Sequence, residues 1–156
     1  METLHFTLRS LEPYRSVIPA ADLLLYGGAA RRAVRGMLPV RVRLRGVTLH
    51  RGGVLVEGQP VDGALEKLAD RFAEELGEAG AFQDWRRDRW YVSLMHFAQP
   101  LGDPARLMAW CDERAGMSVG TAVLTGLDIV QAVKTATGVR LDTLVRASDS
   151  GDHSSR

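Results

Sequence analysis

The residues best suited to chemistry are two histidines, His5 and His96. His5 lies in Leu4-His5-Phe6-Thr7-Leu8 and His96 in Met95-His96-Phe97-Ala98-Gln99, so each precedes a phenylalanine on a run that reads as a strand. Free imidazole titrates near pH 6.5, about where one ring can take a proton while another gives one. Alternate side chains of a strand share a face. His5 and Thr7 are therefore expected opposite Leu4, Phe6 and Leu8, with Arg9 on the side of His5. In the second copy, Leu94, His96 and Ala98 are expected opposite Met95 and Phe97. Each strand then has an apolar face for the core and a histidine on its back. A groove holding two imidazoles and nearby guanidinium groups suits a phosphate.

A lone strand histidine is more often structural, and it is the wider repeat that gives this pair weight. Val42-Arg43-Leu44-Arg45-Gly46-Val47-Thr48-Leu49 overlays Ala122-Val123-Leu124-Thr125-Gly126-Leu127-Asp128-Ile129 as apolar-x-Leu-x-Gly-apolar-polar-apolar. The first block starts 37 residues after His5 and the second 26 after His96. A chain of two similar halves, about 1–80 and 81–147, can bring the two rings together across a pseudo-twofold axis.

The elements that must position them follow from periodicity and turn chemistry. A first strand is expected over 3–9, then a helix over about 20–36 interrupted at Gly27-Gly28, with Leu23, Leu24, Ala30, Ala33, Val34 and Met37 as its apolar stripe. Residues 40–46 alternate Val40, Val42 and Leu44 inward with Arg41, Arg43 and Arg45 outward, and Gly46 marks a bend or bulge. A hairpin follows, 47–50 and 54–57, with His50 at the mouth of its turn reading as an ordinary surface residue. Asp62 is the expected N-cap of a helix over 63–78. The run Trp85-Arg86-Arg87-Asp88-Arg89 reads as a solvated connector, and the second histidine strand covers about 89–98. Asp103-Pro104 starts a helix with Leu107, Met108, Trp110 and Cys111 on its apolar side. Strands at about 119–124, 127–133 and 138–146 precede a polar, disordered tail, 148–156. Strands and helices mix in each half, so the class is α+β, one domain over 1–147.

Composition excludes several functions. With 156 residues the chain can bury a full core, and a net charge of +1 gives no global signal for nucleic acid. The basic residues are almost all arginine, which suits bidentate phosphate contacts but also follows from a GC-rich coding sequence. Cys111 is the single cysteine, so no intrachain disulfide forms and a reducing, cytoplasmic setting is expected. No run is long and apolar enough for a membrane span. The histidines His5, His50, His96 and His153 lack the spacing of a ready zinc site, and no metal or other cofactor is expected.

His5-Phe6-Thr7 and, about 90 residues later, His96-Phe97-Ala98 resemble the paired His-x-Thr/Ser motifs of the two-histidine (2H) phosphoesterase superfamily, which includes 2'-5' RNA ligase-like proteins and 2',3'-cyclic nucleotide phosphodiesterases. The resemblance covers about 1–147. It implies two pseudosymmetric lobes of antiparallel sheet with outer helices around a central groove. It implies His5 and His96 as general base and acid on a cyclic phosphate or 2'-5' phosphodiester, with Thr7, and Arg9 beside it, on the substrate. It implies a nucleotide or RNA-end substrate, no metal, and a monomer without an obligate protein partner. Ala98 departs from the pattern, because it supplies no hydroxyl. Tyr91-Val92-Ser93 would restore a hydroxyl but lose the histidine, and His96 fits the repeat better. Three readings follow: a 2H phosphoesterase, a diverged relative that binds a nucleotide or RNA end with little turnover, and a His pair turned to another small molecule. Whether Arg41, Arg43 and Arg45 line the groove depends on strand order, which the sequence leaves open.

Overall fold

A computed structural model describes residues 4–136 and 138–149. The elements in order are α1 (Ala20–Val34), β1 (Val40–His50), β2 (Gly53–Pro60), α2 (Ala64–Leu76), a 3-10 turn at Gly77–Gly80, β3 (Trp90–His96), α3 (Pro104–Asp112), β4 (Ser118–Leu124), β5 (Leu127–Thr135) and β6 (Gly138–Ala147). The class is α+β. Sheet A is antiparallel with order β3-β2-β1-β4, and β5 and β6 form a separate antiparallel hairpin, sheet B. Among the described residues no helix is long and apolar enough to cross a membrane.

Most elements lie where periodicity puts them, and the differences have physical causes. The expected strand at 3–9 is reduced to a single antiparallel pair, Phe6 with Val92. The strand at 40–46 and the hairpin arm at 47–50 are one strand, because Gly46 acts as a bulge and the chain continues through it. Gly46 has φ +72°, and a Cβ there would stand 2.5 Å from the Ala115 carbonyl oxygen. Its N–H and that of Val47 donate to Met117 and Arg114, so the loop after α3 docks on the bulge. Gly27-Gly28 does not interrupt α1. Gly27 instead brings the helix against Val145 of β6, whose Cγ1 would lie 3.1 Å from an added Cβ. Leu24, expected inside, is exposed, and Tyr26 and Ala29 take the buried stripe with Ala30, Ala33 and Val34. Gly63, in the left-handed conformation, holds the N-cap position expected of Asp62, whose carboxylate instead accepts from the Ala64 N–H. Asp103 caps α3 as expected, accepting from the Arg106 N–H at 3.0 Å. Met108 and Trp110 of α3 stay partly exposed, while Cys111 is buried and burial raises its thiol pKa. In the tail, the Asp149 carboxylate accepts from the Gly36 N–H. His153 and the rest of the tail lie outside the described residues.

The repeat has a structural form. Val42 pairs with Ala122, Arg41 with Val123 and Arg43 with Thr121. Val42 thus faces its own counterpart in the repeat, as a local twofold axis through that pair requires, and Arg41 and Arg43 pair reciprocally on either side of it. The halves diverge at the repeat's glycine. At Gly46 the chain bulges and stays in sheet A, whereas at the matching Gly126 it leaves sheet A and passes into sheet B. Sheet A therefore draws β1 and β2 from the first half and β3 and β4 from the second.

Two cores lie on one face of sheet A. Val40, Val42 and Trp90 join α1, α2 and the start of sheet B in the larger core. Val47, Val54, Val56 and Cys111, with Leu44, Leu49, Phe97 and Leu107, form a smaller one under α3. The bulge keeps these on a common side, because Leu44 pairs with Gly58 and Val47 with Val56, two residues apart on β2. Phe6 packs on the larger core and reaches across β3 to Gly58, where a Cβ would come within 2.5 Å of its ring and 3.0 Å of Val42. Gly58 is thus the slot that seats Phe6. Gly58→Ala is expected to overpack it and to cost about 1–3 kcal/mol, which for a chain this size is about 2–4 °C of melting temperature per kcal/mol. An unchanged melting temperature in a thermal scan would show that the slot does not anchor the N-terminal segment.

Candidate active site on the outer face of sheet A

With Phe6 turned to the core, its neighbours His5 and Thr7 point to the opposite face, and both are exposed. The face of His96 is set by a second bulge. Val54 pairs with Met95 but Leu55 pairs with Ser93, so Leu94 is an extra residue on β3. Leu94 and Met95 both line the cavity against α3, with Leu107 and Trp110. His96 then falls on the outer face, opposite Gly53. This corrects the simple alternation, which groups His96 with Leu94: Leu94 keeps the side of Val92 and α3, and the extra residue gives His96 the face of Ser93.

Across the strands, the outer face forms rows. His50, Gly53 and His96 make one, and Thr48, Leu55 and Ser93 the next. Register carried one residue on from the Phe6–Val92 pair sets His5 against Ser93. On ideal strand spacing, the backbone positions of His5 and His96 are thereby diagonal neighbours on adjacent segments, about 7 Å apart along the strand and about 5 Å across. Leu55, only 7% exposed and in neither core cluster, floors this face. Gly53 has no room for a side chain, since a Cβ would meet the Met95 carbonyl oxygen at 1.9 Å. His50 Nδ1 accepts from the Gly52 N–H at 3.3 Å, which leaves the proton of a neutral ring on Nε2.

The remaining candidates divide. Ala98 lies beyond the end of β3, where the Phe97 N–H donates to the Gly52 carbonyl and the chain turns away. Strand order puts Arg41, Arg43 and Arg45 on the outer face of β1, two strands from His96 and all exposed. Arg45 stands opposite Glu57, which is ion-paired with Arg89 at 2.7 Å. Arg9 does not join His5. Its guanidinium donates to the carbonyls of Gly80, at 2.7 Å, and Gln83, and lines the cavity on the α2 side with Leu8, Glu66 and Trp90. Burial lowers its pKa. The segment's loss of regular strand geometry after Phe6 is what lets Arg9 leave the face its parity assigns. Gln83, itself buried, completes the clamp by accepting from the Ser10 N–H at 2.9 Å and donating to the Trp85 carbonyl. Arg9 thus positions the N-terminal segment from the core side.

Sequence reasoning does not place Ser93, Thr48 and His50 on the face they share with His96. It treats Ser93 and His96 as competing registers, yet the bulge gives both the same face. No residue type announces a bulge at Leu94, so no local signal could have found it.

No family model matches this chain, and no curated protein matches it. Among solved structures it is similar to the crystal structure of TT0787 of Thermus thermophilus, with a TM-score of 0.60 and 20% identity over 96% of this chain and 80% of that one. At that identity the likeness shows the α+β fold alone.

Arg9→Met is expected to destabilise the protein by about 1–3 kcal/mol, the cost of leaving buried carbonyls unpaired, while inorganic phosphate binds as before. Intact stability with lost phosphate affinity, read by denaturant melts and calorimetry, would instead make Arg9 a ligand contact.

Proposed function

We propose that the chain is a metal-independent phosphoesterase acting on a 2',3'-cyclic phosphate or 2'-5' phosphodiester of a nucleotide or RNA end. The observation that supports this most is the position of His5 and His96 as diagonal neighbours on one exposed face. One neutral imidazole takes a proton from the attacking water. The other, as imidazolium, gives a proton to the leaving ribose oxygen as the phosphorus–oxygen bond breaks. Thr7, exposed on the same side, offers its hydroxyl to a phosphate oxygen. Arg41, Arg43 and Arg45 extend the cationic surface away from the rings and suit the further phosphates of an RNA end.

A second reading rests on Ala98. Without a hydroxyl there, the face supports binding of a nucleotide or RNA end with little turnover. Calorimetry beside product analysis on a 2',3'-cyclic nucleotide panel separates the two, since binding without hydrolysis favours the second.

On the catalytic reading, His5→Ala and His96→Ala each lower kcat by about two to four decades with the fold intact, because both rings sit outside the cores. The rate follows a bell-shaped pH profile, one ring being neutral and the other charged. Full activity in both variants would refute the assignment. Turnover is also expected to persist in EDTA, and loss in chelator restored by a divalent metal would contradict this chemistry.

A further inference from the structure

We propose that Ser93 is a phosphate-binding hydroxyl of this site, held between the two histidines. The inference rests on the phosphoesterase reading and adds a residue that the paired motifs do not contain. Three observations carry it.

Ser93 pairs with Leu55 and so faces outward, and the bulge at Leu94 brings His96 back to that same face only three residues later. On its other flank the register from the Phe6–Val92 pair sets His5 directly against it. Ser93 therefore shares the outer face with His96, one outward position away along β3, next to the segment that carries His5.

Ser93 is half-buried, and among the described residues no hydrogen bond holds its hydroxyl. The floor beside it is Leu55, which offers no polar side-chain partner, and the opposite end of that row is Thr48. A hydroxyl in a partly desolvated place, with an apolar floor and two imidazoles as neighbours, is set to donate to an anionic oxygen, where a hydrogen bond is stronger than one between neutral groups.

Position 98 lies past the end of β3, where the chain turns at the Phe97–Gly52 hydrogen bond. A side chain there is further from the His5 row than Ser93 is. The alanine of the second motif consequently leaves the site with a serine hydroxyl already beside His96. In the reaction Ser93 keeps its proton and forms no covalent bond: it donates O–H to a non-bridging phosphate oxygen while the histidines move the protons.

The test uses the full chain with a 2',3'-cyclic nucleotide as substrate and inorganic phosphate as a binding probe. Ser93→Ala is expected to lower kcat/KM by about tenfold to a hundredfold, the size of one hydrogen bond to a charged group. Both limbs of the pH profile should stay in place, and Ser93→Thr should recover most of the rate. Phosphate affinity measured by calorimetry should fall in Ser93→Ala and return in Ser93→Thr. A wild type that hydrolyses the substrate, with Ser93→Ala equally active and equally able to bind phosphate, overturns the role of Ser93 and leaves the phosphoesterase reading standing. A wild type that neither hydrolyses the panel nor binds phosphate overturns both. A binding-only protein whose phosphate affinity drops on Ser93→Ala supports Ser93 while removing the catalytic reading. A rate loss that Ser93→Thr does not recover, accompanied by a lower melting temperature, marks a packing role and counts against the proposal.

Discussion

The contact on which the site depends is the seating of the Phe6 ring over Gly58 and Val42. Residues 4–10 have almost no sheet of their own, only the Phe6–Val92 pair. A segment with one ladder contact would fray, so side chains must hold it. Phe6 does so from the core face, and the Arg9 and Gln83 clamp does so a few residues on. With these in place His5 has a defined direction, outward and beside β3. Burial energy at one face is thereby converted into position at the other.

The companion constraint is the bulge at Leu94. A regular β3 would have sent His96 to the side of Val92 and α3. One extra residue gives Leu94 and Met95 to the α3 cavity and returns His96 to the outer face with Ser93. The two histidines are positioned by unlike devices, an anchored aromatic ring and a strand irregularity. The repeat in the sequence is thus realised symmetrically at β1 and β4, where Val42 meets Ala122, and asymmetrically on the face that carries the histidines.

Much of this is legible in the residues. The strict alternation of Val40 to Arg45, which burial bears out, and the Asp103-Pro104 start of α3, which the Asp103 cap bears out, are local signals. The outward direction of His5 follows from Phe6, an apolar neighbour that has to find a core. Other features are set by partners distant in sequence. Arg9 turns away because the carbonyls of Gly80 and Gln83 satisfy its guanidinium, and those residues lie 71 and 74 positions on. Gly27 reads as a helix breaker and is instead a close approach to Val145. Strand order, which puts the β1 arginines two strands from His96, is a property of pairing that alternation does not encode.

The functional reading turns on His5 and His96 serving one phosphate on one face. A crystal structure with a 2'- or 3'-nucleoside monophosphate bound tests it most directly. The expected result is a phosphate lodged over Leu55, within hydrogen-bonding distance of both imidazoles. A phosphate bound elsewhere on the molecule, or bound to one ring with the other turned to a different face, would contradict it.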